Sequence, residues 1–173
     1  LPEGVVISEL DNSDSIWPGS EYRTKELDFE GYTLDKFQRP TFKYSRGELS
    51  ITDKVIPVKS KFEEKPGKIR RILKFSGGKP PSNLYFRLAQ GEFKKDQKNY
   101  VDEELSLSVE GGKVLASNAE LRVPIQFNDE TAELEITYGW ADWWAKKFLR
   151  NLDMKTFKSI TLLLATFSIG FAD

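Results

Sequence analysis

The densest grouping of side chains that could recognise a ligand lies in residues 17–44, WPGSEYRTKELDFEGYTLDKFQRPTFKY. Aromatic rings alternate there with carboxylates and guanidinium groups. Aromatic faces stack on the C–H groups of sugars, while charged groups hydrogen-bond to hydroxyls, so the pattern predicts a carbohydrate-binding surface. The candidate ligand-binding residues are Trp17, Tyr22, Asp35 and Arg39. The alternative is that the aromatics belong to the core and that Asp35 and Arg39 brace a turn.

Catalytic chemistry has few candidate residues. The 173-residue sequence contains no histidine and no cysteine, which excludes a Ser-His-Asp triad, a histidine base and a thiolate nucleophile. The runs of adjacent carboxylates lie in turn-like contexts, whereas a glycosidase needs two carboxyl groups facing each other at about 5–9.5 Å. We therefore predict no catalytic residue, no metal ligand and no cofactor. The alternative is a carboxylate-dependent glycosidase or lyase that pairs Asp35 with Glu26 or Glu48.

The charge balance also limits the partners. Lysine and arginine total 26 against 27 aspartates and glutamates, a net charge of −1. Without a strong positive field, a nucleic-acid partner is not expected.

Residues 1–140 carry the pattern of paired strands. In AELRVPIQF and AELEITYGW, apolar residues alternate with polar ones, as in half-buried antiparallel strands. About nine such runs, separated by Gly, Pro, Asn and Asp, predict an all-β domain, an antiparallel β-sandwich. In ELDFEGYTLD the alternation slips by one residue at Gly31, which predicts a β-bulge.

Beyond the predicted sandwich the pattern becomes helical. WADWWAKKFLRNLD spaces Trp140, Trp144, Phe148 and Leu152 four residues apart, which predicts an amphipathic helix over residues 141–153. One interpretation is a helix that packs on the sandwich. The other is contact with a partner or with a membrane surface, as in a structural subunit of a membrane-associated complex. The candidate contact residues are Trp140, Trp143 and Trp144.

Residues 154–173, MKTFKSITLLLATFSIGFAD, resemble a signal peptide. Met154 is followed by two lysines, an apolar stretch and a small-x-small site near the end. The apolar stretch is too short to span a bilayer, which argues against a membrane anchor. The remaining alternative is a buried C-terminal helix. The signal-like pattern predicts an exported protein, periplasmic or extracellular.

The segment WPGSEYRTKELDFEGYTLDKFQRPTFKY is followed along the chain by LYFRLAQGEF and ELRVPIQFNDETAELEITYGW. This order resembles a β-rich module of large secreted proteins of planctomycetes, verrucomicrobia and related bacteria. Those chains combine a PQQ-dependent sugar dehydrogenase-like propeller with a c-type cytochrome domain. The matching positions are Gly31, Tyr32, Leu34, Asp35, Arg39, Pro40, Thr41 and Phe42, with Tyr85, Phe86 and Arg87. The haem attachment motif C-x-x-C-H and candidate PQQ ligands are absent. The resemblance therefore implies an accessory module without a cofactor, which binds carbohydrate or docks onto a redox enzyme or cytochrome.

Overall fold

The computed structural model describes residues 6–19, 27–61, 66–78, 81–102 and 104–140. Within these ranges the protein is all-β, with twelve strands and no helix. The strands are β1 (Ile7–Glu9), β2 (Asp28–Leu34), β3 (Pro40–Arg46), β4 (Leu49–Val58), β5 (Lys68–Ser76), β6 (Leu84–Gln90), β7 (Lys94–Asp96), β8 (Asn99–Val101), β9 (Leu105–Glu110), β10 (Leu115–Ser117), β11 (Glu120–Pro124) and β12 (Thr131–Trp140).

All nine segments predicted as strands form strands, and the all-β class is confirmed. The count of about nine is too low because β7, β8 and β10 were missed. Each has three residues, too few for alternation to stand out from a loop. The helix predicted over 141–153 and the tail 154–173 lie outside the described residues.

Two antiparallel sheets of different width form the β-sandwich-like fold. The small sheet has the strand order β1-β6-β11-β10, and the large sheet has the order β2-β3-β4-β5-β12-β9-β8-β7. The central pair β5 and β12 joins segments far apart in sequence, with Leu73 opposite Leu134. In these orders β1 is an end strand of the small sheet, and β2 is an end strand of the large sheet.

Apolar side chains from both sheets form one core. Full burial of a leucine or phenylalanine side chain stabilises the folded state by about 1.5–3 kcal/mol, so this core is the main source of stability. The fully buried apolar members are Ile51, Leu73, Phe75, Leu84, Phe86, Leu88, Leu107, Leu121, Val123, Leu134 and Ile136.

Polar contacts show which strands of the two sheets lie opposite each other. The Glu9 carboxylate of β1 lies 3.1 Å from the Arg46 guanidinium of β3. The Tyr138 hydroxyl of β12 donates to the Leu88 carbonyl of β6 at 3.2 Å. Thus β1 lies near β3 and β6 lies near β12. The small sheet covers the middle of the large sheet and ends before it reaches β2.

The predicted bulge at Gly31 is confirmed. The register between β2 and β3 shifts between Phe29 and Gly31, and Gly31 has φ of 112°. A positive φ of this size is accessible to glycine at little cost. Because of the extra residue, Phe29 and Tyr32 lie on the same face of the sheet although they are three positions apart.

Candidate functional site

An exposed apolar surface covers one face of the hairpin formed by β2 and β3. We call it the aromatic face, and it consists of Phe29, Tyr32, Leu34, Phe42 and Tyr44. The first two side chains are 59% exposed and Leu34 is 49% exposed. Ring centroids lie 5.5 Å apart for Phe29–Tyr44 and 6.1 Å apart for Tyr32–Phe42, so each β2 ring packs against a β3 ring. Tilted pairs at such distances are favourable.

The aromatic face continues the core face of the large sheet. Tyr44 lies opposite the buried Ile51 of β4, and directly opposite residues of paired strands point to the same side. The rings of β2 are exposed because the small sheet ends at β1, which lies near β3. The exposure results from the unequal width of the two sheets.

Asp35 and Arg39 close the far end of this hairpin. The Asp35 carboxylate accepts hydrogen bonds from the backbone N–H of Phe37 at 2.8 Å and from Arg39 Nε at 2.7 Å. Burial raises the pKa of Asp35, but the N–H groups of Arg39 and Phe37 and the Arg39 guanidinium outweigh it and lower that pKa below its ordinary value. The structure brings these two predicted site residues together, in the geometry of a braced turn.

The charged pair lies on the opposite side of the hairpin from the aromatic face. Lys54 Nζ is 3.8 Å from the Asp35 carboxylate. Lys54 is adjacent in β4 to Asp53, which lies opposite Phe42 of the aromatic face, and successive side chains of a strand point to opposite faces. The rings of the aromatic face therefore do not share a surface with this charged pair, whose Arg39 guanidinium lies instead 4.7 Å from the exposed ring of Phe37.

Trp17 is placed in the interior, contrary to its expected role on a ligand-binding surface. Its side chain is only 6% exposed. The guanidinium carbons of Arg87 and Arg122 lie 5.0 Å and 5.3 Å from its ring. Each contact is a cation–π interaction. The ring is thus occupied within the protein and is not available to stack on a sugar.

Around Trp17 the structure shows a buried charge network that alternation alone does not predict. Arg122 donates to Glu120 at 3.0 Å, and Arg87 donates to the other oxygen of the same carboxylate, also at 3.0 Å. Alternation in AELRVPIQF places Glu120 and Arg122 on the face opposite Leu121 and Val123, which in a half-buried strand is the exposed one. All three side chains are instead buried.

Residues 11–18 lie over this network, and we call them the covering loop. Arg122 Nη1 donates to the carbonyls of Ser13 and Ser15 at 2.7 Å each. The amide of Asn118 also donates to the Asp14 carbonyl at 3.0 Å. The one available signal in the sequence is a tryptophan in a mostly polar connection, DNSDSIWPG.

Of the remaining predicted site residues, the structure describes only Trp140. Trp140 ends β12 opposite Leu105 and is 58% exposed. Tyr22, Trp143 and Trp144 lie outside the described residues, so their roles stay predictions.

Asp35 and Glu48, the described acids of the alternative glycosidase pairing, do not converge as a glycosidase requires. Asp35 precedes β3 and Glu48 follows it, and a seven-residue strand separates its ends by roughly 20 Å. Glu26 lies outside the described residues. The Asp53 carboxylate forms an ion pair with the Arg71 guanidinium at 2.6 Å. In the part of the chain that the structure describes, no group of three or more acidic residues could hold a metal ion.

The chain matches no protein-family model, no curated protein and no solved structure. Within the described ranges, no helical segment has the length and apolar character needed to cross a bilayer.

Proposed function

We propose that this protein is a non-catalytic accessory module, a β-sandwich, that docks onto a partner protein through the aromatic face. The observation that carries the proposal is the exposure of Phe29, Tyr32 and Leu34 as one contiguous apolar surface. Contiguous exposed apolar surface on a folded domain marks interaction sites, because burying it in a complex is favourable.

The composition of the aromatic face supports a protein partner over a sugar. Phe29 and Leu34 carry no hydrogen-bonding group, whereas a sugar needs polar partners for its hydroxyls. The charged pair Asp35 and Arg39 lies on the other side of the hairpin. Aromatic side chains are also enriched at the centres of protein interfaces.

The class of partner rests on the sequence. The resemblance to modules of secreted sugar dehydrogenase and cytochrome proteins supports a redox protein as the partner. The signal-like residues 154–173 support export, to the periplasm or outside the cell. Trp140, at the end of β12, is a second candidate contact.

The experiment compares two variants of the full chain as bait for extracts of the source organism. The double variant Phe29→Ser, Tyr32→Ser makes the aromatic face polar, and Thr33→Ala changes the opposite face of the same strand. A docking partner is retained by the wild type and by Thr33→Ala, and its yield falls about tenfold or more with the double variant, since interface aromatics are common hot spots.

Two results would reject the docking function. One is equal retention of every bound protein by the wild type and the double variant. The other is binding of the wild type to an array of saccharides that Tyr32→Ser abolishes, which would show carbohydrate recognition instead.

A further inference from the structure

We propose that the tips of two neighbouring hairpins of the large sheet, β2–β3 and β4–β5, bind the surface of an anionic lipid bilayer. This inference goes beyond the proposed docking function, because the tips are distinct from the aromatic face. It follows from the strand order, from the side chains that flank each tip and from the positive charge that stays unpaired there. We call this region the basic tip surface, and it consists of Lys36, Phe37, Val58, Lys59, Lys61 and Lys68.

The two hairpin tips lie side by side at one end of the large sheet. Strands β2, β3, β4 and β5 are consecutive neighbours, and each pair is antiparallel. The turn after β2 and the connection after β4 are therefore at the same end, about 10 Å apart, which is two strand spacings. Phe37 lies in that turn, and Val58 ends β4.

Each tip presents an apolar side chain beside a lysine. Phe37 is 62% exposed, and Lys36 Nζ lies 5.0 Å from the centre of its ring. Val58 is 37% exposed and lies directly opposite Lys68, so their side chains point to the same side of the sheet. The same pair of groups, an apolar side chain and an ammonium, thus occurs twice.

Both tips direct these groups to the side of the large sheet that faces away from the small sheet. Val58 and Lys54 are four residues apart in β4 and therefore share that side. Lys54 Nζ is 3.8 Å from the Asp35 carboxylate, which pairs with Arg39 at 2.7 Å. The Arg39 guanidinium in turn lies 4.7 Å from the Phe37 ring. These contacts place Phe37 on the same side as Val58.

The basic tip surface carries cations without counter-charges. Within the described ranges, its four lysines are exposed and form no ion pair. Carboxylates elsewhere on the same side of the sheet are paired, namely Asp35 with Arg39, Glu133 with Lys74 and Glu135 with Arg70. In the sequence, residues 59–68 hold four lysines and two glutamates, a net charge of +2. The second tip therefore keeps a positive charge.

The positive region is limited to one half of this end of the large sheet. Asp102 and Glu104 follow β8 at the same end, but β12 and β9 separate them from β5. An anionic surface that approaches this end is therefore attracted to the tips of β2–β3 and β4–β5.

This combination fits a lipid surface better than a protein partner. Lysine is depleted in protein–protein interfaces, whose centres carry few charges. At a bilayer surface, apolar side chains enter the boundary between headgroups and acyl chains, and lysine stems extend so that their ammonium groups reach the phosphates. Anionic lipids also attract each lysine near the surface. Two adjacent tips supply both kinds of group.

The first test measures how the full chain sediments with vesicles of phosphatidylcholine alone and with vesicles that contain about 30% phosphatidylglycerol. We expect binding to be about tenfold tighter to the anionic vesicles, because only they attract the lysines. Most of this preference should disappear when the salt concentration is raised to about 0.5 M, since salt screens surface charge.

A matched pair of charge reversals locates the contact. Lys59→Glu, Lys61→Glu alters the basic tip surface, whereas Lys98→Glu, Lys113→Glu makes the same change in net charge at exposed positions toward the opposite end of the large sheet. We expect the first variant to bind anionic vesicles about tenfold more weakly and the control to stay within about twofold of the wild type, because the attraction acts within about one Debye length.

Fluorescent labels show which residues enter the bilayer. The sequence contains no cysteine, so Phe37→Cys, Val58→Cys and Lys98→Cys each accept a single nitrobenzoxadiazole dye, whose emission rises when it leaves water. With anionic vesicles, we expect the emission at positions 37 and 58 to rise about twofold or more and the emission at position 98 to stay unchanged.

Several outcomes would refute the basic tip surface as a lipid-binding site. Binding without an emission change at positions 37 and 58 would place the membrane contact in another part of the chain. High emission at these positions in buffer alone would show that protein covers the tips. Equal binding by the two charge-reversal variants, or no binding at millimolar lipid, would exclude recognition of lipid by these lysines.

The docking function is judged separately. The double variant Phe29→Ser, Tyr32→Ser should bind anionic vesicles as the wild type does, although it fails to retain a partner from the extract. Loss of vesicle binding in this variant would assign the lipid contact to the aromatic face and would refute the present inference. Failure of the wild type to retain any partner would reject docking and leave the vesicle results unaffected.

Discussion

The Arg71 guanidinium of β5 lies 2.6 Å from the Asp53 carboxylate of β4, on the face of the large sheet that meets the small sheet. The Asp53 side chain is almost completely buried, and Arg71 also lies 5.5 Å from the ring of Phe86 in β6. The pair is therefore part of the packing between the sheets. Its partners depend on each other, because a charge that loses its counter-charge in a region of low dielectric constant is strongly destabilised.

Replacing one partner of this pair should destabilise the fold strongly. Arg71→Leu leaves the Asp53 carboxylate buried without its cation, and we expect the free energy of unfolding to fall by about 3 kcal/mol. Urea denaturation measures this change. The double variant Asp53→Leu, Arg71→Leu should recover most of the loss, since no buried charge remains. A single variant as stable as the wild type would show that the pair is solvated.

The same region predicts a loss of stability in alkali. Burial raises the pKa of Tyr138, although Arg71 partly opposes the shift. Between the unfolded pKa near 10 and the higher folded pKa, the unfolded chain has lost the phenolic proton that the folded chain retains. Stability should be full below about pH 10 and should decrease as the pH rises further.

Tyr138→Phe is the variant that tests this titration. It should cost about 1 kcal/mol at neutral pH because the hydrogen bond to Leu88 is lost. Its unfolding free energy should then depend less steeply on pH above 10 than that of the wild type, as measured by denaturant titrations from pH 8 to 11. Some dependence should persist, because burial also raises the pKa of Tyr44. Parallel curves for the two proteins would contradict the assignment to Tyr138.

Arg122 should control attachment of the covering loop. Arg122→Met removes the hydrogen bonds to the carbonyls of Ser13 and Ser15 and leaves Glu120 with Arg87. We expect a loss of about 2–4 kcal/mol and faster proteolysis within residues 11–16. Arg122→Lys keeps the charge but not the planar fork, so it should rescue only part of the stability. Unchanged proteolysis in Arg122→Met would show that other contacts hold the loop.

Gly31→Ala tests the bulge that aligns the aromatic face. An added Cβ at Gly31 would meet no atom within 4 Å, so the cost arises from its φ of 112° alone. We expect a loss of about 1–3 kcal/mol. Gly47→Ala is the matched control, since its φ of 57° is a left-handed value that alanine tolerates at about 1 kcal/mol. Equal stability of the two variants would indicate that the hairpin relaxes without the bulge.

The sequence was most informative where structure is local. Nine strands and the bulge at Gly31 follow from alternation over a few residues, which depends only on how side chains leave a strand. The braced turn of Asp35 and Arg39 is local as well. The three missed strands are held by pairing with neighbours that a three-residue run does not reveal.

The candidate site depended on relationships that alternation does not contain. Alternation placed Glu120 and Arg122 on one face, but whether that face is solvated depends on the covering loop, which comes more than a hundred residues earlier. Similarly, the rings of β2 have the pattern of core residues, and they are exposed only because the small sheet ends at β1. Strand order and sheet width are set by long-range pairing, so neither could be derived from residues 17–44.

The attachment of the covering loop has an evolutionary consequence. Arg122 contacts the loop through carbonyl oxygens, which every amino acid supplies, and so selection on this contact does not act on the side chains of Ser13 or Ser15. In descendants of the same ancestor, we expect residue 13 to vary while Arg122 and Trp17 are retained, and we expect less variation at Ser15, because its hydroxyl also accepts from the Asn12 N–H at 3.2 Å. Homologues of this protein should therefore be sought by a tryptophan paired with a distant arginine, rather than by the amino-acid sequence of the covering loop.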